Sequence, residues 1–222
     1  MSSLLARSGR ERQRYEDNVR LVSGCIPYRL TKDDREEDNI DLEGRIEVLM
    51  LTSPNRTDFV FPKGGWEDDE TVVQAACREA FEEAGVKGIL KECPIGEWKF
   101  RSKSRQDLFS MEGSCKGYMF ALEVTEELET WPEQEIRDRK WLTIKDAFEL
   151  CRYEWMREAL DRFLSVMVEE EIALAETSPT KDCPIMSSNC HVNPSNDQHS
   201  SLNGILPFSW QPKRLIKIDM NI

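Results

Sequence analysis

The sequence predicts an α/β protein in which a mixed β-sheet lies between helical layers. Three features predict this class: short β-rich segments, one amphipathic helix placed early among them, and two helices closing the ordered region. The 222 residues are 39% hydrophobic and 32% charged, enough to bury one core. In chain order, "VRLVSGCIPYRL" and "RIEVLMLTS" read as strands, separated by the acidic, turn-like "TKDDREEDNIDLEG". "DFVFP" is a short strand leading into the turn "FPKGGWE". "IGEWKFRSKS" and "CKGYMFALEVTEE" are strands joined by the polar loop "RQDLFSMEGS", and "DRKWLT" adds another. The stretch from Ile144 to Glu176 reads as two helices broken near Arg152. We therefore expect one domain over residues 18–175, a flexible basic arm over 1–17 and a mostly disordered tail over 176–222, where Ser, Asn, Pro and Asp recur without hydrophobic period. Within that tail "ILPFSWQPKRLIKI" regains apolar residues.

Composition excludes several classes of function. No apolar run reaches the length of a membrane span and no signal-peptide core follows the N-terminus, so no membrane partner is expected and the protein reads as intracellular. Arg7, Arg10, Arg12 and Arg14 against the single Glu11 are compatible with a mitochondrial presequence or a plain basic arm; otherwise cytoplasm or nucleus is expected. Seven scattered cysteines without C-x-x-C pairs, and two histidines, indicate neither a disulfide framework nor a zinc site. A net charge of −12 gives no reason to expect nucleic acid as a partner and repels anions at long range, so an anionic substrate would need a local basic rim.

The chemistry concentrates in "GGWEDDETVVQAACREAFEEAGV". Thr71 to Ala84 lacks Gly and Pro, and Val72, Val73, Ala76, Ala80, Phe81 and Ala84 recur at helical intervals until Gly85 stops the helix. Glu79, Glu82 and Glu83 then stand at i, i+3 and i+4 on one face. An acidic cluster is commonly a solvated face, but three adjacent carboxylates repel one another unless a cation neutralises them, and oxygen donors without His or Cys suit Mg²⁺ or Mn²⁺. Gly64 and Gly65, ahead of the helix N-terminus, allow backbone amides close to a phosphate. Glu70 and Arg78 are eight residues apart, so a bond from Arg78 to Glu70 or another carboxylate would fold the loop over the helix; both read as scaffold.

The series Gly64, Glu70, Arg78-Glu79, Glu82-Glu83 and Gly85-Val86 resembles the Nudix box, G-x5-E-x7-R-E-U-x-E-E-x-G-U, with Ala80 small for its position. The resemblance implies a Nudix α/β/α sandwich and a metal-dependent pyrophosphohydrolase acting on a small-molecule polyphosphate. It implies that Glu79 and Glu83 hold Mg²⁺ or Mn²⁺, with Glu82 as general base or further ligand. The wider segments "PKGGWE", "EEAGVKG" and W-x(n)-R-x-R-K-W are similar to the diphosphoinositol and diadenosine polyphosphate hydrolase branch, plant members above all, several of them regarded as mitochondrial. Carried over, its basic rim comprises Arg20, Arg56, Lys116 and Arg137. Two positions depart from animal relatives: Lys63 replaces a Gly beside the phosphate loop, and Trp155 replaces a phosphate-binding Lys. Because these changes move positive charge inward, a dinucleoside polyphosphate such as a diadenosine species is the expected substrate, with diphosphoinositol polyphosphates as the alternative. A non-catalytic nucleotide sensor is the reading from another class. Lys99, Arg101, Lys103 and Arg105 form a second basic candidate at period two, and Trp98, Trp131 and Trp141 are candidates to stack an adenine or to pack.

Overall fold

The structure is a computed structural model that describes residues 5–31, 42–52, 56–101, 113–177 and 215–217. Its central strand β2 (Val19–Leu30) carries an unbroken buried run from Leu21 to Tyr28, so both faces of the sheet are covered there. β2 pairs parallel with β7 (Ser114–Glu127) and antiparallel with β3 (Ile46–Leu51), which makes the sheet mixed. Beyond β3 lies β8 (Arg139–Thr143); beyond β7 lies β5 (Val86–Lys91), with β6 (Gly96–Arg101) also on β7. β1 (Tyr15–Glu16) and β4 (Lys63–Gly65) extend β2. The short α1 (Leu42–Arg45) precedes β3.

α2 (Val72–Glu79) starts where the sequence supplies a cap. Thr71 Oγ1 accepts from Gln74 N at 3.2 Å and Gln74 Oε1 accepts from Thr71 N at 2.8 Å. Its apolar face buries Ala75 and Ala76 and continues through Ala80 and Ala84. At the other end of the chain α3 (Ile144–Leu150) and α4 (Glu154–Thr177) close the domain. Met156, Ala159, Leu160 and Phe163 form the buried stripe of α4, and the Phe163 ring meets Tyr28 of β2 at 5.2 Å. The predicted break near Arg152 falls between these two helices. Arg152 N donates to Phe59 O at 2.9 Å there, and the Arg152 guanidinium reaches Asp58 Oδ1 at 2.8 Å.

Several local expectations are corrected. "DFVFP" forms isolated bridges, Val60 to Leu51 and Phe59 to Cys151, instead of a strand of its own. Lys63 to Gly65, expected as a turn, is the strand β4, with Gly64 opposite Ser23. The helix expected to run regularly to Ala84 widens into a π turn at Ala80–Ala84, ending at Gly85 with φ +63°. β5, for which no strand was expected, has a bulge at Lys87 and Gly88; a Cβ on Gly88 would collide with Glu123 O.

Described residues from both flanks of the domain engage it. Where a flexible basic arm was expected, Arg7 bonds Glu67 at 2.7 Å and Asp69 at 2.9 Å, Arg12 bonds Asp68 at 2.9 Å, and Arg14 lies over the Trp66 ring. In the region expected as tail, α4 runs to Thr177 and Leu215–Lys217 pairs with β5 as β9. Most of the polar loop "RQDLFSMEGS", of the acidic turn and of the remaining tail lies outside the described residues. Among the described residues no helix is long and apolar enough to cross a membrane.

Candidate functional site

β4, α2 and the π turn bring the box residues onto one buried centre, Arg78. Its Nε and Nη2 bond the two Glu70 oxygens at 2.9 and 2.7 Å, and Nη2 also reaches Gly65 O at 2.8 Å. Nη1 bonds Glu79 Oε1 at 2.7 Å and Glu82 Oε2 at 3.0 Å. Glu70 Oε1 in turn accepts from Glu67 N at 3.0 Å, so the loop is folded over the helix. The other Glu82 oxygen and both Glu83 oxygens have partners from distant parts of the chain. Glu82 Oε1 accepts from Arg7 N at 3.2 Å, Glu83 Oε2 from Lys63 N at 2.9 Å, and Glu83 Oε1 from Arg137, which also bonds Glu133 at 2.6 Å.

The three glutamates stand inside the molecule and not on a solvated face. Burial raises all three carboxyls, and the charge of Glu83 pushes Glu79 further, from the usual 4.5 to about 8. Such a group contributes stability while protonated and loses it when ionisation is forced. Native protein binds more protons than unfolded chain between about 4.5 and about 8, so metal-free stability falls as pH rises through that window. The melting temperature in EDTA should therefore be higher at the acid end of the window than at its alkaline end, with Glu79→Gln flattening the slope. A metal-free melting temperature that rises over this range would contradict the assignment.

The donor set suits a hard divalent cation. It is all oxygen, it is buried, and its members repel one another, which a cation would reverse. Among the described residues no three acidic side chains already converge on one point, and Arg78, Arg137 and backbone amides bond oxygens of the three glutamates. Binding an ion would exchange some of those bonds for it. The glycines contribute space more than exposed amides. A Cβ on Gly64 would collide with the Glu79 carboxylate, and one on Gly65 with the Gln13 side chain.

The basic residues divide into two groups. Arg20 and Lys63 line a cavity of ≈ 140 Å³ together with Arg101, and Phe100, Tyr153 and Trp155 also line it. Trp155 stacks on Phe100 with ring centroids 4.4 Å apart and planes within 6°. Arg20 Nε is shielded from solvent and has no acceptor among the described residues. The other rim candidates lie elsewhere. Arg56 forms a two-bond pair with Asp58 at 2.8 Å, Lys116 bonds Glu97 at 3.0 Å, and Arg137 sits on Glu83. Lys99 is exposed on β6, while Lys103 and Arg105 are outside the described residues. Trp131 and Trp141 carry guanidinium groups on their faces, from Arg139 and Arg29, each at 4.2 Å, and Trp98 packs against the core. The pocket aromatics Phe100 and Tyr153 were not singled out in the sequence. The only sequence signal toward them was Trp155 in place of a basic residue.

A mixed sheet with a loop and helix that gather buried glutamates around one arginine defines a hydrolase of the Nudix class. The NUDIX domain matches residues 40–163, more than half of the chain, and the protein belongs to the Nudix hydrolase family. It is 59% identical over 196 residues to "Nudix hydrolase 12, mitochondrial" of Arabidopsis thaliana, covering 87% of this chain and 97% of that one. "Diphosphoinositol polyphosphate phosphohydrolase 3-beta" of Bos taurus is 31% identical over 133 residues, covering 59% and 68%. Among solved structures, an Ap4A hydrolase of C. elegans superposes with TM-score 0.48 at 23% identity, covering 67% of this chain and 98% of that one. Nudix hydrolases generally use divalent metals such as Mg²⁺ and act on small molecules.

Proposed function

We propose that the protein hydrolyses a phosphoanhydride bond of a dinucleoside polyphosphate, such as a diadenosine species. The observation that supports this is the pocket beside the box. Arg20, Lys63 and Arg101 line it with positive charge, and Phe100, Tyr153 and Trp155 line it with aromatic rings. A linear polyphosphate ending in a base matches that division, since its phosphates need cations near the carboxylate centre and its base needs a flat apolar surface. A densely phosphorylated inositol needs cations on every side, and three rings occupy part of this lining.

Glu79 and Glu83 would hold Mg²⁺ or Mn²⁺, with Glu82 as a further ligand or as the base that takes the proton of the attacking water. When bound, the ion supplies Lewis-acid neutralisation of phosphate charge. Glu70 and Arg78 orient the carboxylates. Lys63 and Arg20 hold phosphate oxygens, and Gly64 and Gly65 keep the backbone bare beside them. Arg137 would contribute to the phosphates once freed from Glu83; Arg56 and Lys116 would form the outer rim. A mitochondrial location is proposed from the naming of the plant relative.

The 31% identity to the bovine enzyme favours diphosphoinositol polyphosphates as the second reading. The test is a product analysis by mass spectrometry, with dinucleoside polyphosphates, ADP-ribose, NADH, nucleotide sugars and inositol pyrophosphates at equal concentration, each with Mg²⁺ and with Mn²⁺. Diadenosine polyphosphates should show the highest kcat/KM, and Trp155→Lys should shift the ratio toward inositol pyrophosphates. Preference of the wild-type protein for the inositol substrate would replace this reading by the second.

A further inference from the structure

The segment from Trp131 to Arg139 lies outside the box, yet it closes every backbone carbonyl that the catalytic helix leaves open. A helix ends with carbonyls that have no partner inside it. Here the π turn ends when Gly85 N bonds back to Phe81 O at 3.1 Å, which leaves Glu82, Glu83, Ala84 and Gly85 to be satisfied from elsewhere. Glu82 O accepts from Glu133 N at 3.1 Å, and Glu83 O from Trp131 Nε1 at 3.2 Å. Arg139 Nη1 donates to both Ala84 O at 2.9 Å and Gly85 O at 3.0 Å. Arg137, from the same segment, bonds the Glu83 carboxylate.

We propose that Trp131 and Arg139 are positioning residues that hold the π turn in the register at which Glu83 can share a divalent cation with Glu79. The proposal rests on the reading of those two glutamates as metal ligands. Three physical points carry it.

The first is geometric. A π turn is a rare, wide turn, and here the carbonyls of Glu82, Glu83 and Ala84 are held by donors from the Trp131–Arg139 segment, while Gly85 O is shared between Arg139 and Leu128 N, the latter at 2.8 Å. The second is electrostatic. The C-terminal end of a helix carries partial negative charge, and this helix adds two buried carboxylates at that end. The Arg139 guanidinium offsets the carbonyl end and is fixed in place by the Trp131 ring at 4.2 Å and by Leu128 O at 2.7 Å, while Arg78 and Arg137 face the carboxylates. The third concerns Gly85. A Cβ there would meet Trp131 Cγ at 2.7 Å and Arg139 Nη1 at 2.8 Å, so the glycine of the box is demanded by this clamp as well as by its positive φ.

The measurement is Mn²⁺ affinity of the full-length protein, by isothermal titration with free Mn²⁺ followed by electron paramagnetic resonance, alongside the melting temperature. Arg139→Gln should raise the Mn²⁺ dissociation constant about tenfold or more, the usual cost of removing a partner that orients a ligand. Arg139→Lys should recover part of the loss, because it keeps charge but not the two-carbonyl fork. Trp131→Phe, which removes the Nε1 donor and keeps a ring, should weaken binding severalfold in a folded protein. Arg29→Gln is the control, since Arg29 lies over Trp141 at the same 4.2 Å but bonds Glu47 rather than the helix; it should leave Mn²⁺ affinity unchanged. If folded Trp131→Phe and Arg139→Lys both bind Mn²⁺ like the wild type, or Arg29→Gln weakens it equally, the clamp has no positioning role. Failure of the wild-type protein itself to bind Mn²⁺ would instead overturn the metal-ligand reading, and the clamp with it.

Discussion

Glu83→Gln should lower kcat by about 10²–10⁴-fold while leaving the protein folded, because it removes charge from the carboxylate centre without removing volume. The amide oxygen can still accept from Lys63 N, now at 2.9 Å from Glu83 Oε2, and Arg137 keeps its second carboxylate, Glu133. Burial already raises the Glu83 carboxyl above its usual range, so metal-free stability should not fall on neutralisation. Steady-state kinetics over a range of Mg²⁺ and Mn²⁺ concentrations, with EDTA as the metal-free reference, provides the measurement. Near-wild-type turnover at ordinary metal concentration would show that Glu83 is structural only.

Arg78→Ala should be the most destabilising single change in the box. The guanidinium is buried and supplies bonds to Glu70, Glu79, Glu82 and Gly65 O. Without it three buried carboxylates lose their compensating charge together, and breaking a buried ion pair from one side costs about 3–5 kcal/mol. Urea denaturation in the absence of metal should show a loss of that size above about pH 8, where Glu79 is ionised, and a smaller one at neutral pH, where its carboxyl is largely protonated. Adding Glu70→Gln should recover part of it by removing one of the orphaned charges. A loss under about 1 kcal/mol would mean that solvent reaches the carboxylates and that the arginine is not their main counter-charge.

Much of this molecule is readable in one dimension because its signals are local. The box glutamates, their spacing and the helix that carries them depend on contacts within one or two turns, and the apolar period of Val72 to Ala84 marks that helix directly. β2, β3 and β7 show as runs of apolar and β-branched residues since they lie at the covered centre of the sheet. β5 was not legible, as "VKGILK" is short and its glycine serves an approach to Glu123 that sequence does not record. The cations show the same limit. Arg56 and Arg20 look alike in the sequence, but Asp58 occupies the first and the shielded Nε of the second lines the pocket.

What the sequence by itself determined is the chemistry: the family, the oxygen-only donor set on one helix and the absence of zinc or disulfide patterning, each written in residue identity at short spacing. Only the tertiary structure decided how that chemistry is held. It buried the glutamates, converted the end of their helix to a π turn, laid Arg7 against Glu82 and closed the carbonyls with Trp131 and Arg139. Those contacts join residues from 48 to 75 positions apart. Chain separations of that size are brought together by the packing of the whole sheet, and no local period or propensity specifies which partner will arrive.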